Sequence, residues 1–329
     1  MPSTSNFGKI KPLCKEDLSG VVAIDKAMTG VARSDFFKKR LDAALEKPGD
    51  YVYVGLHSGD CLVGYAMAKL VNGEFGNPGA SASLDAMTVD PVHQGKGGGH
   101  QLLKAVEGVL SHKGVEKLTS QVDWSSPAML GFLVDSGFDL APRIVLTRDT
   151  ITPPSQLDFE QDDEYLDEID FSAPDGDDPG ALSNERIPIR SMNEADLADM
   201  IAIDKKISDT DRTAYFKRKQ QEVLHQSGVR VSLIAEMDDH PVGYIMARVD
   251  YGEFGRTSAT AVMDTIGVDP GYSGQGIGQE LMYKLLANLS ILHVEKIRTE
   301  VDWNTVSLIA YLDEAGFKPA QTIVVSKKV

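Results

Sequence analysis

The chain has 329 residues, of which 42% are apolar and 25% charged, an ordinary balance for globular protein. At roughly 150 residues per domain this length predicts two domains, and no apolar run approaches the ~18 residues of a membrane span or forms a signal peptide. Cys14 and Cys61 are the only cysteines and the seven histidines form no ligand spacing, so we expect no disulfide, no metal and a cytoplasmic location.

The net charge of −16 is concentrated in one segment. Residues 158–178 contain eleven Asp or Glu and no Lys or Arg, whereas residues 1–157 carry a net charge of −1 and residues 179–329 a net charge of −4. The two flanking parts are therefore close to neutral, which argues against a nucleic-acid-binding protein. The charge says little about a basic substrate.

In chain order, the first part predicts a mixed α/β domain. Helices are predicted from their apolar periodicity and end signals, and strands from alternation and turn residues. The predicted elements are strand 9–14, a helix from Glu16-Asp17, helix 33–47, strands 51–57 and 61–71, strand 82–90, helix 98–113, strand 116–123, helix 126–136 and strand 143–148. The last strand is expected to complete this domain.

The second part repeats the first at an offset of 179 residues, so the chain is a tandem duplication. Its predicted elements are helices near 194–206 and 212–226, strands near 230–236, 241–250 and 261–269, helix 277–292, strand 295–302, helix 305–315 and strand 321–327. We predict a first domain at 1–150, an acidic linker at 151–185 and a second domain at 186–329. The linker is typical of a solvated connection, although its apolar residues between Phe159 and Phe171 would allow part of it to pack on a domain.

Each repeat has a glycine-rich loop between a strand and a helix. The first runs from Val89 to Gly99 and the second from Val268 to Gly278, each beginning with an Asp-Pro turn. Unpaired N–H groups and the dipole at a helix N-terminus favour a phosphate or pyrophosphate, and glycines let the backbone come close to it. Neither loop matches the dinucleotide or P-loop pattern.

The order of elements and these loops together resemble the GNAT acetyltransferase superfamily, over nearly the full length of both repeats. The first loop fits the family pattern throughout, whereas the second has Ser273 at its first position. The resemblance implies a mixed sheet flanked by helices, with acetyl-CoA as co-substrate. It also implies a bulged strand before each loop, which opens a gap for the pantetheine.

The resemblance implies that acetyl-CoA contacts are mainly to the backbone. In the first repeat they would involve Met87, Val89, Gln94, Gly95, Lys96, Gly97, Gly98 and Gly99. In the second they would involve Ile266, Val268, Ser273, Gly274, Gln275, Gly276, Ile277 and Gly278.

Acetyl transfer to an amine needs a base for the amine and an acid for the leaving thiolate. Many family members carry the acid as a Tyr, at the position of Leu133 and Leu312 here; Tyr311 lies one residue earlier and faces either the cleft or the core. Some members carry a Glu base at the position of Glu300, where the first repeat has Gln121.

Asp85 and Asp264 lie within otherwise apolar strands, where a charge is costly unless it is paired or faces a cleft. Each is either a base or amine anchor, or a structural group bonded to a nearby loop. Glu74 and Glu253 lie in repeated Gly-Glu-Phe-Gly turns, which favour a turn role over acceptor contact.

Asp123 and Asp302 are expected to cap helices, and the tryptophans that follow them, Trp124 and Trp303, to line the clefts.

The leading hypothesis is an N-acetyltransferase with its chemistry in the second repeat, where Glu300 lies, and with a CoA-binding or structural first repeat. Alternatives are two active repeats, using Asp85 and Asp264, or a non-catalytic CoA-binding sensor or scaffold. The expected acceptor is an amine on a small molecule or a protein, with no nucleic-acid or membrane partner. The expected assembly is a monomer with pseudo-twofold domains or a weak homodimer.

Overall fold

The computed structural model describes residues 8–72, 80–150, 187–222, 224, 229, 231–250 and 260–329. The predicted acidic linker and the two Gly-Glu-Phe-Gly turns lie outside the described residues. Among the described residues, no helix is both long and apolar enough to cross a membrane. The same residues contain no group of three or more His, Cys, Asp or Glu that could hold a metal ion.

The first repeat forms the predicted elements in the predicted order. Its strands are β1 (Lys9–Pro12), β2 (Tyr51–Ser58), β3 (Cys61–Asn72), β4 (Ala80–Val89), β5 (Lys117–Asp123), β6 (Asp139–Leu140) and β7 (Arg143–Asp149). Its helices are α1 (Leu18–Thr29), α2 (Ser34–Glu46), α3 (Gly98–His112) and α4 (Pro127–Asp135). The helix predicted from Glu16-Asp17 begins with a short 3-10 turn, Lys15–Asp17.

The second repeat forms the same series. Its strands are β8 (Ile189–Ser191), β9 (Leu233–Met237), β10 (His240–Asp250), β11 (Thr260–Val268), β12 (Lys296–Asp302), β13 (Lys318–Pro319) and β14 (Thr322–Lys328). Its helices are α5 (Leu197–Ser208), α6 (Thr213–Gln221), α7 (Ile277–Ile291) and α8 (Val306–Glu314). The two-residue strands β6 and β13 were not predicted, because a pair of residues carries no readable alternation.

The two repeats exchange their last strands. The described strands form two seven-stranded sheets, in the orders β1-β2-β3-β4-β5-β14-β6 and β13-β7-β12-β11-β10-β9-β8. The last strand of the second repeat, β14, pairs antiparallel with β5, and β7 of the first repeat pairs antiparallel with β12. The strand predicted at 143–148 therefore exists, but the expectation that it completes its own copy is wrong.

Each exchanged strand buries a side chain in the apolar core of the other repeat. Leu146, on β7, is buried in the second core, and Val325, on β14, is buried in the first. Val145 and Val324, one from each exchanged strand, belong to a separate small buried cluster. Separating the repeats would expose these side chains, and burying a Val or Leu contributes about 1.5–3 kcal/mol each.

Candidate functional site

A bulge and a gap in each sheet create the framework of the site. Asp85 is the extra residue of β4, since Met67 pairs with Ala86 and Ala68 with Leu84. Asp264 is the extra residue of β11 in the same way. Strands β4 and β5 pair only at Ser81–Ser83, so they separate just before the bulge, and β11 and β12 pair only at Thr260–Val262. The bulged strand and the gap implied by the resemblance are thus confirmed in both repeats.

The glycine loops follow directly after these strands. Gly95 and Gly97 have φ of 74° and 81°, and Gly274 and Gly276 have φ of 77° and 79°, a region that side chains with a Cβ disfavour. A Cβ on any of the four would meet nothing within 4 Å, so the space beyond them is open. In α3 the amide of Gln101 donates to the carbonyl of Gly97 at 3.1 Å, and the amides before it point out of the helix end. This geometry fits a pyrophosphate group.

The two loops differ in their side chains. Gln94 braces the first loop by donating to the Val89 carbonyl at 2.9 Å, and Lys96 brings a cation that Gln275 does not supply in the second. In the second loop Glu280 lies in the first turn of α7, where its charge opposes a bound anion. The first loop is therefore the better electrostatic match to a phosphate.

A cavity of about 530 Å³ occupies the gap of the first repeat, and we call it the first cleft. Its walls come from the bulged part of β4, the end of β5, the adjoining ends of α1 and α2, and α4. Thr322 of the exchanged strand β14 also lines it. Along β4 the cleft is lined from Asp85, at the bulge, to Met87 and Thr88, next to the glycine loop.

A smaller pocket of about 390 Å³ lies at the second glycine loop. Its lining begins at Ile266 on β11 and continues through the loop to Tyr311. Asp264 and Glu300 do not line this pocket. The described pocket therefore covers the predicted pyrophosphate position of the second repeat without reaching its predicted catalytic groups.

Asp85 and Asp264 each face two cations. Asp85 accepts a hydrogen bond from Ser83 Oγ at 2.7 Å and lies 3.3 Å from Arg40 and 3.7 Å from Lys69. Asp264 lies 3.0 Å from Lys219 and 3.3 Å from Arg248, which occupy the matching positions of the second repeat. Both carboxylates are thus paired, as a buried charge requires, but only Asp85 lines a described cavity.

The position of the family's acid is apolar in both repeats. Leu133 is buried and lines the first cleft, and Leu312 is fully buried in the second core. Tyr311 lines the second pocket and donates its hydroxyl to the Gly278 carbonyl at 2.7 Å, while burial raises the pKa of its phenol. Its role as the acid stays a prediction, and its proton is engaged at the start of α7.

Glu300 lies where the two repeats meet. Its carboxylate is 3.0 Å from a guanidinium nitrogen of Arg143 and accepts a hydrogen bond from Gln121 Nε2 at 2.6 Å. Arg298 donates to Gln121 Oε1 at 2.6 Å and completes this polar cluster. These contacts suit a structural group between the repeats, and the catalytic role of Glu300 stays a prediction.

Sequence reasoning missed a buried triad on the wall of the first cleft. Arg33 donates through Nε to Asp25 at 2.8 Å, and the Tyr65 hydroxyl donates to the same carboxylate at 3.2 Å. Burial raises the pKa of the Tyr65 phenol, so it remains a donor. Arg212, Asp204 and Tyr244 repeat the arrangement in the second copy. The sequence contains a signal for this triad, because the spacing of 40 residues between Asp25 and Tyr65 recurs between Asp204 and Tyr244.

The predicted helix caps are wrong, because the N-cap residues of α4 and α8 are Ser126 and Thr305, and the two aspartates instead close turns just before these helices. Asp123 Oδ1 accepts from the Ser125 amide at 2.8 Å, and Asp302 Oδ1 accepts from the Asn304 amide at 2.9 Å. Trp124 and Trp303 are instead 66% and 59% exposed, and Trp124 does not line the first cleft. Each tryptophan follows a strand end, where its backbone amide bonds across to the exchanged segment.

Comparison with solved structures supports this architecture. A tandem GNAT protein from the clavulanic acid biosynthesis pathway matches with a TM-score of 0.64 at 15% identity, covering 97% of this chain and 98% of that one. A GCN5-related N-acetyltransferase from Sphaerobacter thermophilus matches with a TM-score of 0.57 at 16% identity, covering 100% and 96%. At identities this low, the comparison shows a shared fold and nothing more specific.

A third structure is the GCN5-related glucosamine N-acetyltransferase region of a fungal multi-domain GH3 beta-N-acetylglucosaminidase, with a TM-score of 0.62 at 16% identity. The alignment covers 97% of this chain but only 38% of that protein. No curated protein sequence gives a significant match. The profile of the acetyltransferase (GNAT) family matches residues 21–138 and again residues 197–317, which is most of both repeats. The chain therefore belongs to the acetyltransferase (GNAT) family, with one family domain in each repeat.

Proposed function

We propose that this protein transfers an acetyl group from acetyl-CoA to an amine, and that the transfer takes place in the first cleft. One observation carries the proposal: the cavity of about 530 Å³ at the gap between β4 and β5 is lined by Asp85 and also by Met87 and Thr88, which lie beside the first glycine loop. A donor held beside the glycine loop and an acceptor near Asp85 would thus meet within one cavity. Such proximity is itself a large part of catalysis.

The donor side is assigned to the first loop. The open amides before Gln101 and the N-terminus of α3 would hold the pyrophosphate, and Lys96 adds positive charge beside it. The backbone of Met87 and Val89 would bind the pantetheine in the gap. An N–H of the bulged strand would polarise the thioester carbonyl, as a donor in an oxyanion hole does.

The acceptor side is assigned to the part of the cleft around Asp85. The amine attacks the thioester carbon as its neutral form, the C–S bond breaks, and the thiolate leaves. The amine proton passes to a base, directly or through water. Asp85 is the candidate base or amine anchor, because it lines the cleft. Leu133 occupies the acid position, so we assign protonation of the thiolate to solvent.

The acetyl transfer is thus placed in the first repeat. The second repeat, favoured in the sequence analysis, is supported only by the presence of Glu300. Both Asp85 and Glu300 are paired with cations, but Asp85 lines the first cleft, whereas the described second pocket does not reach Glu300. Activity in both repeats, with Asp264 acting in the second, remains an alternative. Comparing the two loops by substitution separates these possibilities.

A CoA-binding sensor or scaffold is the second candidate function. The apolar Leu133 at the acid position favours it, since a binding module needs no acid. The test is acetyl-CoA-dependent release of free thiol over a panel of small amines, polyamines, lysine peptides and peptide N-termini. We expect one amine class to accelerate the release. Tight acetyl-CoA binding without release for any class would refute the enzyme and leave the sensor.

The predicted acceptor, an amine on a small molecule or a protein, is part of this proposal. The cytoplasmic location and the monomeric or weakly dimeric state also remain predictions. Thermal unfolding with and without acetyl-CoA, together with sedimentation velocity, would test binding and assembly on the same sample.

A further inference from the structure

The strand exchange places two different residues at the same position of the two repeats. Thr322 lies on β14 and pairs with Asp123 of the first repeat. Arg143 lies on β7 and pairs with Asp302 of the second repeat. The two positions are related by the repeat offset of 179 residues, so each repeat receives this residue from the other.

In the first repeat, the residue at this exchanged position, Thr322, leaves the cleft open. Thr322 lines the cavity of about 530 Å³ together with Gln121, its neighbour on the adjacent strand. Both side chains are uncharged, and Thr322 is short. The gap between β4 and β5 therefore stays continuous at this level.

In the second repeat the matching side chains form an ion pair. A nitrogen of Arg143 lies 3.0 Å from Glu300, and the two side chains are only 10% and 11% exposed. Glu300 is the counterpart of Gln121, and Gln121 holds it further by a hydrogen bond of 2.6 Å. Admitting a thioester here would break a largely buried pair and leave one charge without its partner, which is strongly unfavourable.

We propose that Arg143, supplied by the exchanged strand, closes the gap between β11 and β12 by pairing with Glu300, so that the acyl-pantetheine arm enters only the first cleft beside Thr322. The inference rests on the proposed use of acetyl-CoA. It makes Arg143 and Thr322 the residues that decide which repeat admits the thioester. The second glycine loop then binds the phosphates of CoA without its acyl arm.

The test compares acetyl-CoA with adenosine 3′,5′-diphosphate, a fragment of CoA that lacks the arm, by calorimetry on the full chain. The affinity for acetyl-CoA divided by the affinity for adenosine 3′,5′-diphosphate reports whether the arm is admitted, because only acetyl-CoA carries it. With the first loop disabled by Gly97→Glu, we expect Arg143→Thr/Glu300→Gln, which copies the first repeat, to raise the ratio at the second loop by about tenfold. Arg143→Lys, which keeps a cation beside Glu300, should leave the ratio within about twofold.

The mirror variant guards against misfolding of the double variant. With the second loop disabled by Gly276→Glu, Thr322→Arg should lower the ratio at the first loop by about tenfold, whereas Thr322→Ser should leave it unchanged. Unchanged ratios in both Arg143→Thr/Glu300→Gln and Thr322→Arg would overturn the inference. Native chain that shows the expected binding but releases no thiol would refute the proposed function alone, and native chain that binds no acetyl-CoA would refute both.

Discussion

Asp85 and Asp264 occupy equivalent positions of the two repeats but lie in different surroundings. Each is the bulged residue of its strand and each faces two cations from matching positions, Arg40 and Lys69 or Lys219 and Arg248. The difference lies in what surrounds the pair, since Asp85 also forms part of the wall of the first cleft. A structural role predicts equal consequences for both residues, and a chemical role predicts unequal ones.

Asp85→Asn is expected to lower kcat/KM for acetyl transfer by about 10²-fold or more, in line with the loss of a general base. Asp264→Asn is the matched control, because it removes the same carboxylate from an equivalent pair of cations. Both variants should lower the melting temperature to a similar degree. Equal losses of activity in the two variants would assign Asp85 a structural role.

For single residues, the sequence predicts which side chains are unusual but not which side chains they contact. A charge within an apolar strand marks Asp85 as paired or functional. Its partners Arg40 and Lys69 come from α2 and β3, and only the folded register of β3 against β4 brings them to it. The same holds for Glu300, whose partner Arg143 is 157 residues away.

At the scale of elements, the order of helices and strands was predictable and the destination of the last strands was not. Each repeat presents an equivalent open edge, at β5 or β12, and β7 and β14 are apolar strands of the same length. Hydrophobic alternation therefore fits either edge. Local pattern alone therefore does not tell which edge each strand joins.

Leu146→Ala tests directly whether the two repeats exchange their last strands. Leu146 belongs to the first repeat but is buried in the second core, so its truncation should cost about 2–5 kcal/mol and loosen the second sheet. We expect faster amide hydrogen exchange in β12 than in the native chain, with β5 affected less. Val325→Ala is the mirror control and should affect β5 more than β12. Faster exchange confined to the repeat that carries the substitution would contradict the exchanged topology.

At the scale of the whole molecule, charges also link the repeats. Glu222 follows α6 in the second repeat, and Lys69 of the first repeat contributes to its electrostatic environment. Burial alone would raise the pKa of Glu222, but Lys219, Lys69, Arg248 and Arg218 outweigh it and lower the pKa to about 2. Because this pKa is lower in the folded chain than the ordinary value of 4.5, the ionised carboxylate stabilises the fold.

The pH dependence of unfolding follows from this shift. The stabilisation from Glu222 is fully present above about pH 4.5 and is lost as the pH falls toward 2. Glu222→Gln should therefore be less stable than the native chain at pH 6, and the difference should shrink progressively below about pH 4.5. Urea unfolding at pH 6, 4 and 3 measures it. A difference that stays constant over this range would show that Glu222 keeps its ordinary pKa in the folded chain.

The most direct test of the account is the rate of acetyl-CoA-dependent thiol release in Gly97→Glu and Gly276→Glu. Both glycines have positive φ at the start of a helix, so the backbone strain is matched, and Gly97→Ala and Gly276→Ala isolate that strain from the added negative charge. With the acceptor amine found in the panel, we predict that Gly97→Glu abolishes release well beyond Gly97→Ala, while Gly276→Glu retains most of the native rate. Loss of release in Gly276→Glu with a native rate in Gly97→Glu would contradict the assignment of the chemistry to the first cleft.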